Sequence, residues 1–132
     1  MASLKNGGTM FSLLHVEDEQ DAGNLIGRII TLKFPDVRLF KAKDGEIGLE
    51  MFKEHKPDMV LTDIAMPKLD GLSMAAEIKA VHPETPIVVI SANCFDQRYL
   101  LRFKEVGVEQ CLPKPLDIDL LFAAIQKHCV LR

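Results

Sequence analysis

Long apolar runs and an excess of basic charge are both missing from this chain of 132 residues. Its apolar stretches, such as Pro86 to Ile90 and Leu120 to Ile125, fall far short of the roughly 18 residues of a bilayer span, so no membrane partner is expected. Sixteen basic against nineteen acidic residues leave a net charge of −3. Nothing therefore pulls the chain unaided onto phosphate backbones, and no direct nucleic-acid partner is expected. The first ten residues hold no apolar block of signal-peptide length, which points to a cytoplasmic location. Their Gly-Gly pair and the second methionine, Met10, read as a flexible leader over 1–10, with the folded unit over 11–132. Cysteine is scarce too. Cys94, Cys111 and Cys129 lie 17 and 18 positions apart, an odd number without the close pairs of a zinc site or a disulfide framework. All three are expected to be plain buried thiols.

What the sequence does contain is an alternation. Short apolar runs that read as buried strands are each followed by a stretch with helical spacing or helix-start chemistry. The strands are predicted at Ser12 to Val16, Val37 to Lys41, Met59 to Thr62, Ile87 to Ile90 and Val108 to Leu112. The first helix is expected to bury Leu25, Ile29 and Leu32, spaced i, i+4, i+7. Asp44-Gly45 and Asp70-Gly71 open the second and third helices, each aspartate placed to cap orphan N–H groups. A fourth helix is expected from about Phe95 to Val106, closed by Gly107. Ile118, Leu121, Phe122, Ile125 and Cys129 mark one face of the fifth. Five strand-helix pairs, with strands apolar on both faces, imply a single α/β domain: a doubly wound parallel sheet with helices on both sides. In such sheets ligands bind beyond the carboxyl ends of the strands.

At those ends stand Glu17 and Asp18, Asp63, Ser91 and Lys114. Singly, each has an ordinary explanation as a cap, a turn residue or a solvated lysine. Together, three carboxylates and one ammonium place a formal −2 in one cleft. Two like charges about 4 Å apart repel by roughly 4 kcal/mol at an effective dielectric near 20, so the trio requires a counter-ion. Hard oxygens with room for water suit Mg²⁺, usually completed by a phosphate. Asp63 is the candidate nucleophile, forming an aspartyl phosphate. Lys114 and Ser91 are placed to neutralise charge on the transferred group, and Glu17 and Asp18 to hold the metal.

On these residues the sequence resembles the receiver domain of two-component response regulators, from Phe11 to Arg132. The match rests on Val16-Glu17-Asp18-Glu19, on Pro57 through Pro67 with Asp70-Gly71 beyond, on Ser91-Ala92 and on Lys114-Pro115. The resemblance implies a flavodoxin-like fold with strand order 2-1-3-4-5, phosphorylation of Asp63 by a sensor histidine kinase or phosphotransfer protein, and Mg²⁺ held by Glu17, Asp18, Asp63 and the Ala65 carbonyl. It also implies a cis Lys114-Pro115 bond and a signalling face made by the fourth helix, fifth strand and fifth helix. The chain would then modify only itself and signal through a downstream protein target or an output domain absent from this sequence. At the position where the family carries a mobile aromatic, three before the lysine, this sequence has Cys111. Tyr99 and Phe103 are candidate substitutes, though ordinary packing explains them better. Ala65 and Asn93 would flank the water that removes the phosphoryl group, and Ala65 can neither orient nor donate to it.

Three rivals are weaker. A metal-dependent phosphatase working through an aspartyl phosphate wants a second aspartate at position 65. A nucleotide- or flavin-binding domain wants a glycine- or hydroxyl-rich loop where Glu17-Asp18-Glu19 stand. A phosphorylation-independent pseudo-receiver has no need to keep all five site residues. Of the histidines, His55, His82 and His128 fall at predicted helix ends, where an imidazolium suits the dipole, and His15 is expected to be packed.

Overall fold

In the computed structural model of the chain, residues 11–130 are described, without the side chains of residues 129 and 130. The expected leader over 1–10 and the Cys129 thiol lie outside the described residues. Five strands, β1 (Ser12–Val16), β2 (Arg38–Ala42), β3 (Met59–Asp63), β4 (Ile87–Ser91) and β5 (Gln110–Pro113), alternate with α1 (Gln20–Lys33), α2 (Gly45–His55), α3 (Gly71–Val81), α4 (Gln97–Val106) and α5 (Ile118–Val130). The strands pair in parallel, as the alternation predicts, in the order β2-β1-β3-β4-β5 that the resemblance implies.

Period-two alternation divides the strands between two cores. On one side Leu13, Leu61 and Ile90 pack with Ile30 and Phe34 near α1 and with Leu121 and Ile125 of α5. On the other, Leu14, Val16, Val60 and Val89 pack with Phe52 of α2, Leu72 and Ile78 of α3 and Phe103 of α4. Each such side chain contributes about 1.5–3 kcal/mol of burial. That makes β3 and β4, buried along their full lengths, the rigid centre of the sheet. The caps form where expected: Asp44 accepts from the Ile47 N–H and Asp70 from the Ser73 N–H, each at 2.8 Å. Gly107 ends α4 at φ 91°.

Three expectations are corrected. The face of α1 is not Leu25, Ile29 and Leu32: Leu25 is 61% and Leu32 79% exposed, and the helix instead buries Gly23, Gly27 and Ile30. Counting apolar side chains misses glycines that let a helix approach the sheet. A Cβ on Gly27 would meet the Lys41 and Leu39 side chains of β2, and one on Gly23 would meet Glu17. Nor is β2 apolar on both faces. It is an edge strand that exposes one charged residue on each face, Arg38 and Lys41, while Leu39 packs against one core and Phe40 and Ala42 against the other. Finally, α4 starts at Gln97 behind an Asp96 cap, leaving Phe95 outside the helix and 82% exposed.

Candidate functional site

Parallel pairing brings the strand ends to one edge. Val16 lies opposite Thr62, Asp63 opposite Ile90, and Ser91 opposite Pro113. The residues at or just past those ends are Glu17, Asp18, Asp63, Ser91 and Lys114, so the five expected site residues share one rim of the sheet. Oxygens of Glu17, Asp18 and Asp63 come within 4.8 Å of one another, and these three form the only cluster of potential metal ligands among the described residues. An open cleft of about 540 Å³ lies over Asp63, with Glu17, Asp18, Ile90 and Lys114 in its walls. A second, of about 560 Å³, runs from the same acidic pair toward Asn24, Lys41 and Lys43.

Asp63 is 7% exposed, and both of its oxygens are engaged. Oδ1 accepts from the Ile64 N–H at 2.7 Å, and Oδ2 accepts from Lys114 Nζ at 3.0 Å. Lys114 follows the last residue of β5 and precedes a cis bond to Pro115, the geometry the resemblance implies. Glu17 turns one oxygen back to accept the Glu19 N–H at 3.0 Å. Burial raises its carboxyl above the ordinary glutamate range, and the neighbouring Asp63 and Asp18 charges push the same way. The Glu19 N–H and the Lys114 charge oppose them. A carboxylate strained in this way by burial and like charges is one that a cation would relieve.

Ser91 is 5% exposed. Its Oγ accepts from the Asn93 N–H at 2.9 Å, and its carbonyl accepts from the Lys114 N–H at 3.1 Å. Its hydroxyl proton is thus not used by its own loop. Ala65 is exposed on the segment between β3 and α3. His15, on β1 below the site, is 1% exposed with neither ring nitrogen bonded among the described residues. Burial, aided by the Lys41 charge, lowers its pKa to about 4, against an opposing pull from Asp63. Phe103 is a core residue, and Tyr99 packs partly buried beside the same cluster, their ring centroids 6.1 Å apart. Both are packing residues in this conformation.

Two features of the site were not read from the sequence. Gly71, expected as a helix-start residue and as part of the family motif, lies so close behind Asp63 that a Cβ would collide with the Asp63 carbonyl oxygen. Its N–H donates to the Ile64 carbonyl at 2.8 Å. The second overturns the expectation of three plain thiols: Cys94 and Cys111 are joined as a disulfide, with Cα atoms 5.6 Å apart. Their 17-residue separation is the length of the β4-α4-β5 crossover. In a parallel sheet such a crossover returns the chain beside the strand it left, so residues distant in sequence become a close pair in space.

Comparison with known proteins agrees with this geometry. The family model described as the response regulator receiver domain matches residues 13–126. The transcriptional regulatory protein RprY of Bacteroides fragilis is 31% identical over 114 residues, covering 86% of this chain and 47% of that protein. The chemotaxis protein CheY of Bacillus subtilis is 33% identical over 87 residues, 66% of this chain and 72% of its own length. The chain thus spans about half of the first of these relatives. Among solved structures, the N-terminal domain of an uncharacterized Wolinella succinogenes protein superposes with a TM-score of 0.83 at 37% identity, over 92% of this chain and 95% of that one. A response regulator receiver domain protein from Clostridium thermocellum gives 0.81 at 27% identity, over 92% and 95%.

Proposed function

This chain belongs to the response regulator receiver domain family, and from that premise we propose that it is phosphorylated on Asp63, with Mg²⁺, by a sensor histidine kinase or phosphotransfer protein. The observation that carries the reading is the meeting of three carboxylates within 4.8 Å at a strand edge where Lys114 also reaches Asp63 at 3.0 Å. The donor set fits the ion: hard carboxylate oxygens, few in number, beside an open cleft. Glu17, Asp18 and Asp63 would hold it, with the Ala65 carbonyl as a further ligand. When bound, Mg²⁺ supplies positive charge that offsets the phosphoryl oxygens.

The chain's own residues account for the rest. An Asp63 carboxylate oxygen attacks phosphorus as the bond to the donor breaks, giving an acyl phosphate. Lys114 Nζ, already at the carboxylate, neutralises charge on the incoming group. The Ser91 hydroxyl donates its unused proton to a phosphoryl oxygen. Such transfer depends on placement and charge more than on acid-base chemistry. The domain is an acceptor that modifies only itself and works in the cytoplasm. Phe95, Leu100, Leu101 and Leu120 are exposed on or beside α4 and α5, which supports this face as the surface for a downstream protein or an output domain absent from this sequence. Neither nucleic acid nor a membrane is a direct partner.

The test is incubation with acetyl phosphate and Mg²⁺ followed by intact mass. The expected result is a gain of one phosphoryl group that disappears in Asp63→Asn. A gain that persists in the variant would place the acceptor elsewhere, and no gain with native protein would sink the reading.

A further inference from the structure

The Cys94–Cys111 bond sits across the part of the molecule that flanks the acceptor rim. Cys94 is three residues past Ser91 and Cys111 three before Lys114. The covalent ring they close, from 94 to 111, contains the whole of α4. That helix has little else to hold it: Phe103 is its one buried side chain, Tyr99 and Val106 are only partly buried, and Leu100 and Leu101 face solvent. An element with so few buried contacts lies at the low end of local stability, and a cross-link that closes a loop acts by removing the open conformations available to it.

We propose that Cys94 and Cys111 form a reversible dithiol–disulfide site, oxidised by low-molecular-weight disulfides, whose state sets the freedom of α4 and through it the response at Asp63. The last link rests on the function proposed above. Cys111 is held in register opposite Val89 of β4, and Cys94 lies in the turn just past that strand, so the backbone places the two residues together, with Cα atoms 5.6 Å apart. Cys94 is 4% exposed while Cys111 is half-buried, so Cys111 is the point of entry. Its thiolate attacks an external disulfide, displacing one thiolate and forming a mixed disulfide. The Cys94 thiolate then attacks the Cys111 sulfur and displaces the second. Two protein thiols lose two protons and two electrons, and one external disulfide becomes two thiols. In a reducing compartment the pair rests open and closes under oxidation. Opening also restores a proton to Cys94 Sγ, which lies 3.5 Å from the Ser91 carbonyl and gains an acceptor on the residue that carries the site hydroxyl.

The experiment uses the full chain in a Cys129→Ser background, treated with glutathione disulfide or with dithiothreitol. N-ethylmaleimide labelling under denaturing conditions, read by intact mass, should give two labels after reduction and none, without a glutathione adduct, after oxidation. Amide hydrogen exchange over 97–106 should be about fivefold or more slower in the oxidised form, and phosphoryl uptake from acetyl phosphate should slow by a similar factor. Glutathione adducts or two labels after oxidation, or equal exchange in the two states, would overturn the proposal. Equal uptake rates would remove its link to Asp63. Absence of uptake in both states counts against the phosphoacceptor reading, and labelling and exchange still decide the redox site. In Cys94→Ser the oxidant should leave the exchange of α4 unchanged.

Discussion

Lys114 Nζ donates to Asp63 Oδ2 at 3.0 Å across 51 positions of sequence, tying the end of β5 to the end of β3. In the proposed function the ammonium that serves an incoming phosphoryl group would therefore compete with a cation for the carboxylate. Lys114→Ala is expected to separate these effects. A unit charge about 4 Å away in water-like screening is worth about 1 kcal/mol, and Lys114 is 44% exposed, so the weak limit applies. Isothermal titration should show Mg²⁺ binding tightened by up to about fivefold, while uptake from acetyl phosphate slows about tenfold or more. Weaker Mg²⁺ binding in the variant would contradict the competition.

Gly71 gives the site its rigidity from behind. A methyl at this position falls on the Asp63 carbonyl oxygen and crowds the Ile64 Cα, and backbone cannot rotate away as a side chain end can. Gly71→Ala should cost about 1–3 kcal/mol, as overpacking does, lowering the urea midpoint with little change in slope. Because the displaced backbone is that of the acceptor, phosphoryl uptake by the folded variant should fall as well. Unchanged stability would show that α3 can slide without penalty.

His15 makes acid stability predictable in sign. The native imidazole titrates near 4 and the unfolded one near 6.5, so between these values the unfolded chain binds the proton that the folded chain refuses. Stability falls as pH drops through that window and is fully restored above it. The displacement is worth about 3 kcal/mol at its limit. Urea titrations at pH 7.5 and 4.5 should show the native protein losing about 2–3 kcal/mol more than His15→Leu. Equal losses would mean that the buried ring carries its proton in both states.

If Asp63 is phosphorylated as proposed, Ala65 should bear on how long the phosphoryl group persists. It is exposed, two positions beyond the acceptor, and its methyl cannot hold a water in line with phosphorus. Ala65→Asn adds a donor and an acceptor there and is expected to shorten the half-life of the phosphorylated form, followed by intact mass after the donor is removed. An equal or longer half-life would rule out this role for position 65.

Much of the molecule is legible before any coordinates are known. The caps at Asp44 and Asp70, the five strands and the polar residues at their ends follow from local chemistry, because capping and strand burial are decided within a few residues. The α1 face was misread at Leu25 and Leu32 because glycine carries no apolar signal, although Gly23 and Gly27 are where the helix meets the sheet. Gly71 is legible as a helix-start residue, but its contact with Asp63 is not, since a close approach between non-adjacent backbones leaves no mark on periodicity.

By itself, then, the sequence determined which elements form and which charges gather at their ends, since a buried strand must be apolar and its polar neighbours must emerge at the rim. Only the tertiary structure decided that Lys114 reaches Asp63, that Gly71 backs Asp63, and that Cys94 meets Cys111. Those are distances between segments tens of residues apart, set by sheet register and crossover length, and no local rule contains them.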